Sequence, residues 1–205
     1  DGSTTTTWIS GDSAGLLTIT GGEIIPGKKG GTNFPNSLLV GHATTGTLND
    51  AQRNTGVGIG ALDAISNGDR NTVVGYNSGT QIQSGSFNVS VGDTAGGNIT
   101  SGSRNVNIGL SAGAGNTGAS HNTNIGSEAG SQLNGNANGN VMIGSNVQPD
   151  DTTGDRQLKI AGYDGTTTTT WLTGDSSGNL TTVGDVTLAN DKKVIFGDAG
   201  EHIAG

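Results

Sequence analysis

Residues 71–96, NTVVGYNSGTQIQSGSFNVSVGDTAG, contain nearly the same pattern twice. The segment NTVVG at 71–75 returns 17 residues later as NVSVG at 88–92, and Ser78-Gly79 returns as Ala95-Gly96. Self-similarity at a fixed period is the sequence signature of a repeat architecture. The stretch therefore predicts a chain built from stacked copies of one short unit.

The same pattern extends in both directions to eight units. Successive units start 17 residues apart, except for one step of 18. Seven units match N/S-x-x-V/I-G, and the eighth has Ala after its Ile. Such regularity argues against a disordered low-complexity chain, although 39 of the 205 residues are Gly. The units start at Ser37, Asn54, Asn71, Asn88, Asn105, Asn122, Asn140 and Gln157.

Each unit alternates with period two after its first residue, which predicts a short strand with one face inward. The fourth residue of every unit is β-branched, and this column (the residues at one position of successive units) is assigned to the core. A small column and a second apolar column further along predict another short strand in each unit. The assigned core column is Val40, Val57, Val74, Val91, Ile108, Ile125, Ile143 and Ile160. The small column is Ala61, Ser78, Ala95, Ala112 and Ala129, and the apolar one is Leu48, Ile65, Ile82, Ile99 and Leu133.

These features predict an all-β fold, a parallel β-solenoid of 17-residue repeats over residues 34–162. A single unit cannot bury its own apolar face, whereas a stack of units can. The Asn that opens most units has two interpretations. It forms an amide ladder between coils, or it is present only because Asn favours turns.

A second duplication flanks the repeats. DGSTTTTWISGDSAGLLT at 1–18 returns as DGTTTTTWLTGDSSGNLT at 164–181, and both copies predict strands joined by a tight turn. We divide the chain into an N-terminal β module (1–33), the solenoid (34–162) and a C-terminal β module (163–205) that continues into a longer fibre. The flanking strands are expected to interweave with those of neighbouring chains in a homotrimer.

Composition narrows the classes of partner. The chain has a net charge of −8, seven aromatic residues and no Cys. Its few Lys and Arg residues are scattered along the sequence, so nucleic acid is not expected as a partner. No apolar run is long enough for membrane insertion. With so thin a core and no disulfides, stability is expected to come from repetition or from partner chains.

No motif predicts catalysis or a cofactor, so the chain is not expected to be an enzyme. The run GDSSG at 174–178 lacks the oriented His that a serine nucleophile needs, because the three His residues (His42, His121, His202) lie elsewhere in the pattern. No metal site is predicted. The acids Asp150, Asp151 and Asp155 offer oxygen ligands for Ca²⁺, but a solvated loop is the favoured interpretation.

One column of larger side chains stands directly before the strands. It contains Arg53, Arg70, Phe87, Arg104, His121 and Arg156. The favoured interpretation is a solvated edge or an edge paired between chains. The alternative is a surface that faces a glycan or another partner. The sequence assigns no binding residue.

The repeats resemble known families. NTVVGYNSG, with NTGVGIGAL and NVNIGLSAG, resembles the N-T-x-I-G-x-x-A-G repeats of phage tail-fibre proteins and is similar, with a longer period, to the head repeats of trimeric autotransporter adhesins. The C-terminal segment TTTTTWLTGDSSGNLTTVGDVTLANDKKVIFGDAGEHIAG at 166–205 resembles segments of structural and tail-fibre proteins of marine tailed phages, including cyanophages. The resemblance implies a trimeric β-roll in a virion tail fibre, outside the cell. Its expected partners are neighbouring fibre segments and a host cell-surface glycan or protein.

Three rival interpretations differ in what they require. The head of a bacterial trimeric surface adhesin, exposed on the cell, would be followed in the gene by a membrane anchor. An ice-binding solenoid needs an unbroken Thr array, which Val89 and Val106 interrupt. A polysaccharide-cleaving tailspike needs paired acids on a groove, whereas Asp93 and Glu128 stand apart in the repeat.

Overall fold

The computed structural model describes residues 9–11, 17–19 and 27–187, and these residues form strands and turns without a helix. Eleven strands form one sheet, and the first two strands form a separate antiparallel pair. The strands are β1 (Ile9–Gly11), β2 (Leu17–Ile19), β3 (Gly27–Lys29), β4 (Leu38–Val40), β5 (Thr55–Val57), β6 (Thr72–Val74), β7 (Val89–Val91), β8 (Val106–Ile108), β9 (Thr123–Ile125), β10 (Val141–Ile143), β11 (Leu158–Tyr163), β12 (Thr168–Gly174) and β13 (Leu180–Thr182).

Strands β4 to β11 stack in parallel, each paired with the equivalent residues of the next coil. Thr72 pairs with Val89, for example, and Val74 with Val91. The predicted parallel β-solenoid is confirmed. Seven steps between parallel strands give a rod section of about 34 Å. The single 18-residue step accommodates its extra residue in the exposed turn at 134–136.

The assignment of the Val/Ile column to the core is wrong for the single chain. In β5 to β9 the middle residue is buried and its two neighbours point outward. The misassigned column is Val40, Val57, Val74, Val91, Ile108, Ile125, Ile143 and Ile160, and its five central members are 36–39% exposed. The buried column is the variable one between the two outward columns: Leu39, Gly56, Val73, Ser90, Asn107, Asn124 and Met142.

The buried column varies because neighbouring residues compensate for its changes in size. A Cβ placed on Gly56 would lie 2.6 Å from Leu39 Cδ2, so the neighbouring coil already fills that space. Three coils further on, the larger Asn107 is accommodated by Gly113, where any Cβ would collide with the Asn107 amide. Because the interior is narrow and close-packed, the total volume of the side chains that enter it from opposite walls is fixed. The individual residues can vary as long as that total is kept.

The other two predicted columns are confirmed as interior, although they lie in turns. The small column is fully buried, as are Ile65, Ile82, Ile99 and Leu133, while Leu48 is partly buried. Asn116, which interrupts the apolar column, is also buried. The predicted second strand is absent from the described coils, where these residues form turns. The turns still bond from coil to coil, as when the Gly79 N–H donates to the Ala95 carbonyl (2.9 Å).

The Asn residues that open the units form a ladder along the rod, which confirms the first of the two interpretations. The Asn88 side-chain oxygen accepts from the Asn105 backbone N–H (3.0 Å) and from its amide group (3.1 Å). The Asn88 amide in turn donates to Asn71 (3.1 Å) and to the Gly102 carbonyl (2.9 Å). The backbone links continue through Asn122 and Asn140 to Gln157. Each buried amide thereby joins three coils.

The C-terminal strands extend the sheet of the same chain. β12 pairs antiparallel with β11, and β13 pairs antiparallel with β12. These strands therefore have partners within their own chain, and the expected interweaving with neighbouring chains stays a prediction. The tight turn predicted between the two strands is confirmed at 175–178. Most of the N-terminal copy lies outside the described residues, and β1 and β2 within it pair antiparallel.

We predict that Asn88→Ala destabilises the protein by at least about 2 kcal/mol, because it leaves buried hydrogen-bonding groups of Asn105 and Gly102 without partners. Chemical denaturation followed by circular dichroism measures this loss. The exposed Asn98 provides a matched control, since Asn98→Ala removes the same amide without touching the ladder. Equal stability of the two variants would contradict a structural role for the ladder.

Candidate binding surfaces

The outer face of the solenoid carries an apolar stripe. We define this outer face by the first and third residues of strands β5 to β9, all of which point away from the interior. Its third-residue column is Val57, Val74, Val91, Ile108 and Ile125. Beside that column lie Ile59 (63% exposed), Tyr76 (55%) and Leu110 (50%). A continuous exposed apolar stripe of this kind is typical of a protein–protein contact surface.

A second surface runs along the corner that precedes the strands. We call it the cation–aromatic column, and its members are Arg53, Arg70, Phe87, Arg104, His121 and Arg156. All six side chains are exposed. The column contains every Arg of the chain. A surface of this composition attracts anions in a protein whose net charge is −8.

Backbone geometry constrains this column, as it does other corners of the coils, such as those at Leu62 and Glu128. All six residues have φ between 55° and 63°, in the left-handed region. This conformation costs most residues on the order of 1 kcal/mol, and Gly and Asn adopt it most readily. Asn36 and Gly139 occupy the same corner in two other coils, with φ of 55° and 70°. Bulky side chains therefore stand where small or amide residues fit better, and such outliers concentrate at functional sites.

The corner is held in place by hydrogen bonds on three consecutive residues. At Arg104, the preceding Ser103 N–H donates to Ser120 Oγ (3.0 Å), and the following Asn105 belongs to the amide ladder. The Arg104 N–H itself donates to the Ser86 carbonyl (2.9 Å). The same arrangement recurs along the column, with Asp69, Ser86, Asn138 or Asp155 in the accepting role. The column is therefore preorganised by the backbone.

Phe87 stands between two arginines of the column. The guanidinium carbons of Arg70 and Arg104 lie 5.0 Å and 5.3 Å from the centre of its ring. Both distances are within the range of a cation–π interaction. Phe87 therefore lies between two arginines that are two coils apart, and its ring orients both of them. This role explains why an aromatic residue occupies one position of a column that otherwise holds mainly cations.

The arginines are not neutralised by the part of the chain that the structure describes. The contacts found there between basic and acidic side chains are His42 with Asp63 (3.7 Å) and Lys159 with Asp150 (2.7 Å). Asp69 and Asp155 precede two of the arginines, but each accepts a backbone N–H from the neighbouring coil. The guanidinium groups thus remain free to bind an external anion.

The acids singled out in the sequence lie around an open cleft of about 290 Å³ between the last coil and the β12–β13 turn. Asp150, Asp151, Asp155 and Asp175 line this cleft. Hydrogen bonds from Thr153 lower the pKa of Asp151, and those from Asn179 lower the pKa of Asp175. Within residues 27–187, no group of three acidic or His side chains is placed to hold a metal ion. Asp151 and Asp175 order their own loops.

The structure does not bring the GDSSG run together with a histidine among the described residues. Asp175 accepts hydrogen bonds from Ser177 N–H (2.9 Å) and from the Asn179 amide (2.7 Å), which makes the run a structural turn. His42 lies in the first coil, where it contacts Thr44 and the Ala61 carbonyl. His121 belongs to the cation–aromatic column, and His202 lies outside the described residues.

Sequence reasoning identified the column but missed its conformation. The signals available were the shared position before the strand and the confinement of all Arg residues to it. The left-handed φ was not evident, because Arg and Phe are uncommon in that region. The outer face was missed because uniform Val and Ile were taken as core.

Comparison with protein-family models, with curated proteins and with solved structures found no match. Among the described residues, no helix is long and apolar enough to cross a bilayer.

We predict that Asp175 titrates below its ordinary pKa of 3.8, because its carboxylate accepts hydrogen bonds that protonation would weaken. The turn is thus fully stabilised above pH 3.8 and loses this contribution as the pH falls through the lower folded-state value. NMR titration of the carboxyl carbon measures the midpoint. Asp175→Asn serves as the control. In this variant the protection of the Ser177 amide from hydrogen exchange should no longer change with pH over the range in which Asp175 titrates. A midpoint at or above 3.8 would contradict the assignment.

Proposed function

We propose that this chain is a structural and adhesive segment of a viral tail fibre, in which three copies pack side by side into a stiff extracellular spacer. The observation that carries the proposal is the outer face, a repeated Val/Ile column that a single chain leaves more than one third exposed. Exposing β-branched side chains in every coil is unfavourable in water. A partner that covers the column removes this cost.

Copies of the same chain fit the outer face best. The column repeats at the spacing of parallel strands, about 4.8 Å, over the whole solenoid. A partner must present matching side chains at that same period to pack against every coil, and another copy does so by construction. Symmetric self-association is also the commonest route to an oligomer among soluble proteins.

The choice of three copies and of a virion rests on the resemblance of the repeats and of the C-terminal segment. The repeats resemble both tail fibres and bacterial adhesin heads, so they favour neither. The segment at 166–205 resembles segments of virion proteins, which favours the fibre over the adhesin head. In both roles the same rod and the same contact surface are used.

A mechanical role also agrees with the hydrogen bonding. Backbone groups along β4 to β11 pair between coils. The amide ladder and the side-chain bonds to the residues before the cation–aromatic column reinforce this pairing. A rod with these pairings resists local opening, because each coil is held on both sides. We propose no catalytic step for this chain.

We predict that the 205-residue chain sediments with a mass of about 61 kDa, three times the chain mass of 20.2 kDa. The double variant Val91→Asp with Ile108→Asp should sediment as a monomer, because each carboxylate would be buried without a partner in the interface. Analytical ultracentrifugation measures both masses, and circular dichroism confirms that the β signal is retained.

Gln81→Asp is the matched control, since it adds a negative charge at an exposed position on a different wall of the solenoid. It should leave the mass unchanged. A monomeric wild-type chain at micromolar concentration would overturn the proposed assembly. An unchanged mass in the Val91→Asp and Ile108→Asp double variant would show that another surface makes the contact.

A further inference from the structure

We propose that the cation–aromatic column is a binding site for a linear anionic polysaccharide, whose carboxylate or sulfate groups are bound by the arginines along the rod. This inference rests on the proposed function only in taking the chain to be extracellular. It names the class of ligand and the residues that bind it.

The first argument is conformational. All four arginines adopt a left-handed backbone conformation: Arg53, Arg70, Arg104 and Arg156. At the same corner of two other coils, Asn36 and Gly139 adopt this conformation with a smaller side chain or none. Folding alone would favour Asn or Gly in every coil. Other corners of the coils also hold non-Gly residues with left-handed φ, Thr94 and Glu128 among them, so the conformation alone does not single out this column. What does single it out is that it holds all four arginines of the chain, and anion binding supplies a reason for that choice.

The second argument is the spacing of the charges. Neighbouring coils lie about 4.8 Å apart, so Arg53 and Arg70 are one spacing apart and Arg70 and Arg104 are separated by two, about 10 Å. The column extends over six steps, about 29 Å. An extended polysaccharide advances by a similar distance per sugar. A chain with an acidic group on every sugar, or on every second one, can therefore meet successive arginines.

The third argument is the chemistry of the side chains. A guanidinium donates two parallel hydrogen bonds to a carboxylate or a sulfate, which a lysine cannot do. None of the four makes an ion pair within the described residues. Phe87 and the pinned corner hold Arg70 and Arg104 in place, so little conformational entropy is lost on binding.

Carbohydrate is favoured over nucleic acid on this surface. Single-stranded nucleic acid binds by stacking its bases on free aromatic faces. Arg70 and Arg104 already lie over the Phe87 ring, and Phe87 is the one Phe, Tyr or Trp in the column.

The test measures binding to the 205-residue chain by isothermal titration calorimetry with four probes. Polygalacturonate carries carboxylates, dextran sulfate carries sulfates, dextran is neutral, and an oligonucleotide tests nucleic acid. We expect one or both acidic polysaccharides to bind with an affinity that falls as salt is added, and dextran not to bind. The two acidic probes distinguish carboxylate from sulfate recognition. The polysaccharide should be recovered at its original length.

The decisive variant is Arg70→Asn with Arg104→Asn. It should weaken polysaccharide binding by about a hundredfold, since each charged hydrogen-bonding group contributes on the order of tenfold. Its melting temperature should stay the same or rise, because Asn suits the left-handed corner. Lys28→Gln with Lys29→Gln removes the same charge elsewhere and should bind like the wild type.

Four results would overturn the proposal. With the wild-type chain, they are no binding of either acidic polysaccharide, or tighter binding of the oligonucleotide. With the variants, they are an equal loss of polysaccharide binding in the lysine variant, or a fall in melting temperature or assembled mass in the arginine variant. The last would make the column an ion-paired contact between chains. A wild-type trimer that binds neither polysaccharide refutes this site alone. A monomer that binds one refutes only the proposed assembly.

Discussion

Hydrogen bonding between equivalent residues of successive coils is the interaction on which this structure depends. Each strand is only three residues long through most of the solenoid and would not be stable alone. Repetition makes the same pairing available in every coil, and the buried amide ladder adds side-chain bonds to it. The identity of the ladder residues is constrained, because an amide both donates and accepts while most other side chains of that size do one or neither.

The solenoid and its period were predictable because a stacked fold copies its constraints into the sequence. The orientation of the strands was not. Alternation with period two shows that two faces differ, but a one-residue shift exchanges the inner and outer faces. Uniform Val74 and Val91 suggested a core, whereas the interior holds the variable Val73 and Ser90. An interior filled from several walls tolerates variation, and an outer face that repeats one contact does not.

The two candidate surfaces differ in how much of them the sequence revealed. The apolar outer face was visible as a column and assigned to the wrong side. The cation–aromatic column was located, but the role of Phe87 depends on side-chain positions one coil above and below it. No pattern within one unit contains that information. Contacts between coils, rather than within them, determine both surfaces.

The 18-residue step at 122–140 has a consequence for how such a chain changes length. Its extra residue lies in an exposed turn, while the strands and ladder on either side keep their register. Gain or loss of a whole unit would likewise leave every remaining coil with equivalent neighbours. Duplication or deletion of a unit in the gene can therefore change the length of the rod in steps of one strand spacing. Such a change leaves the surfaces at the two ends of the rod as they were.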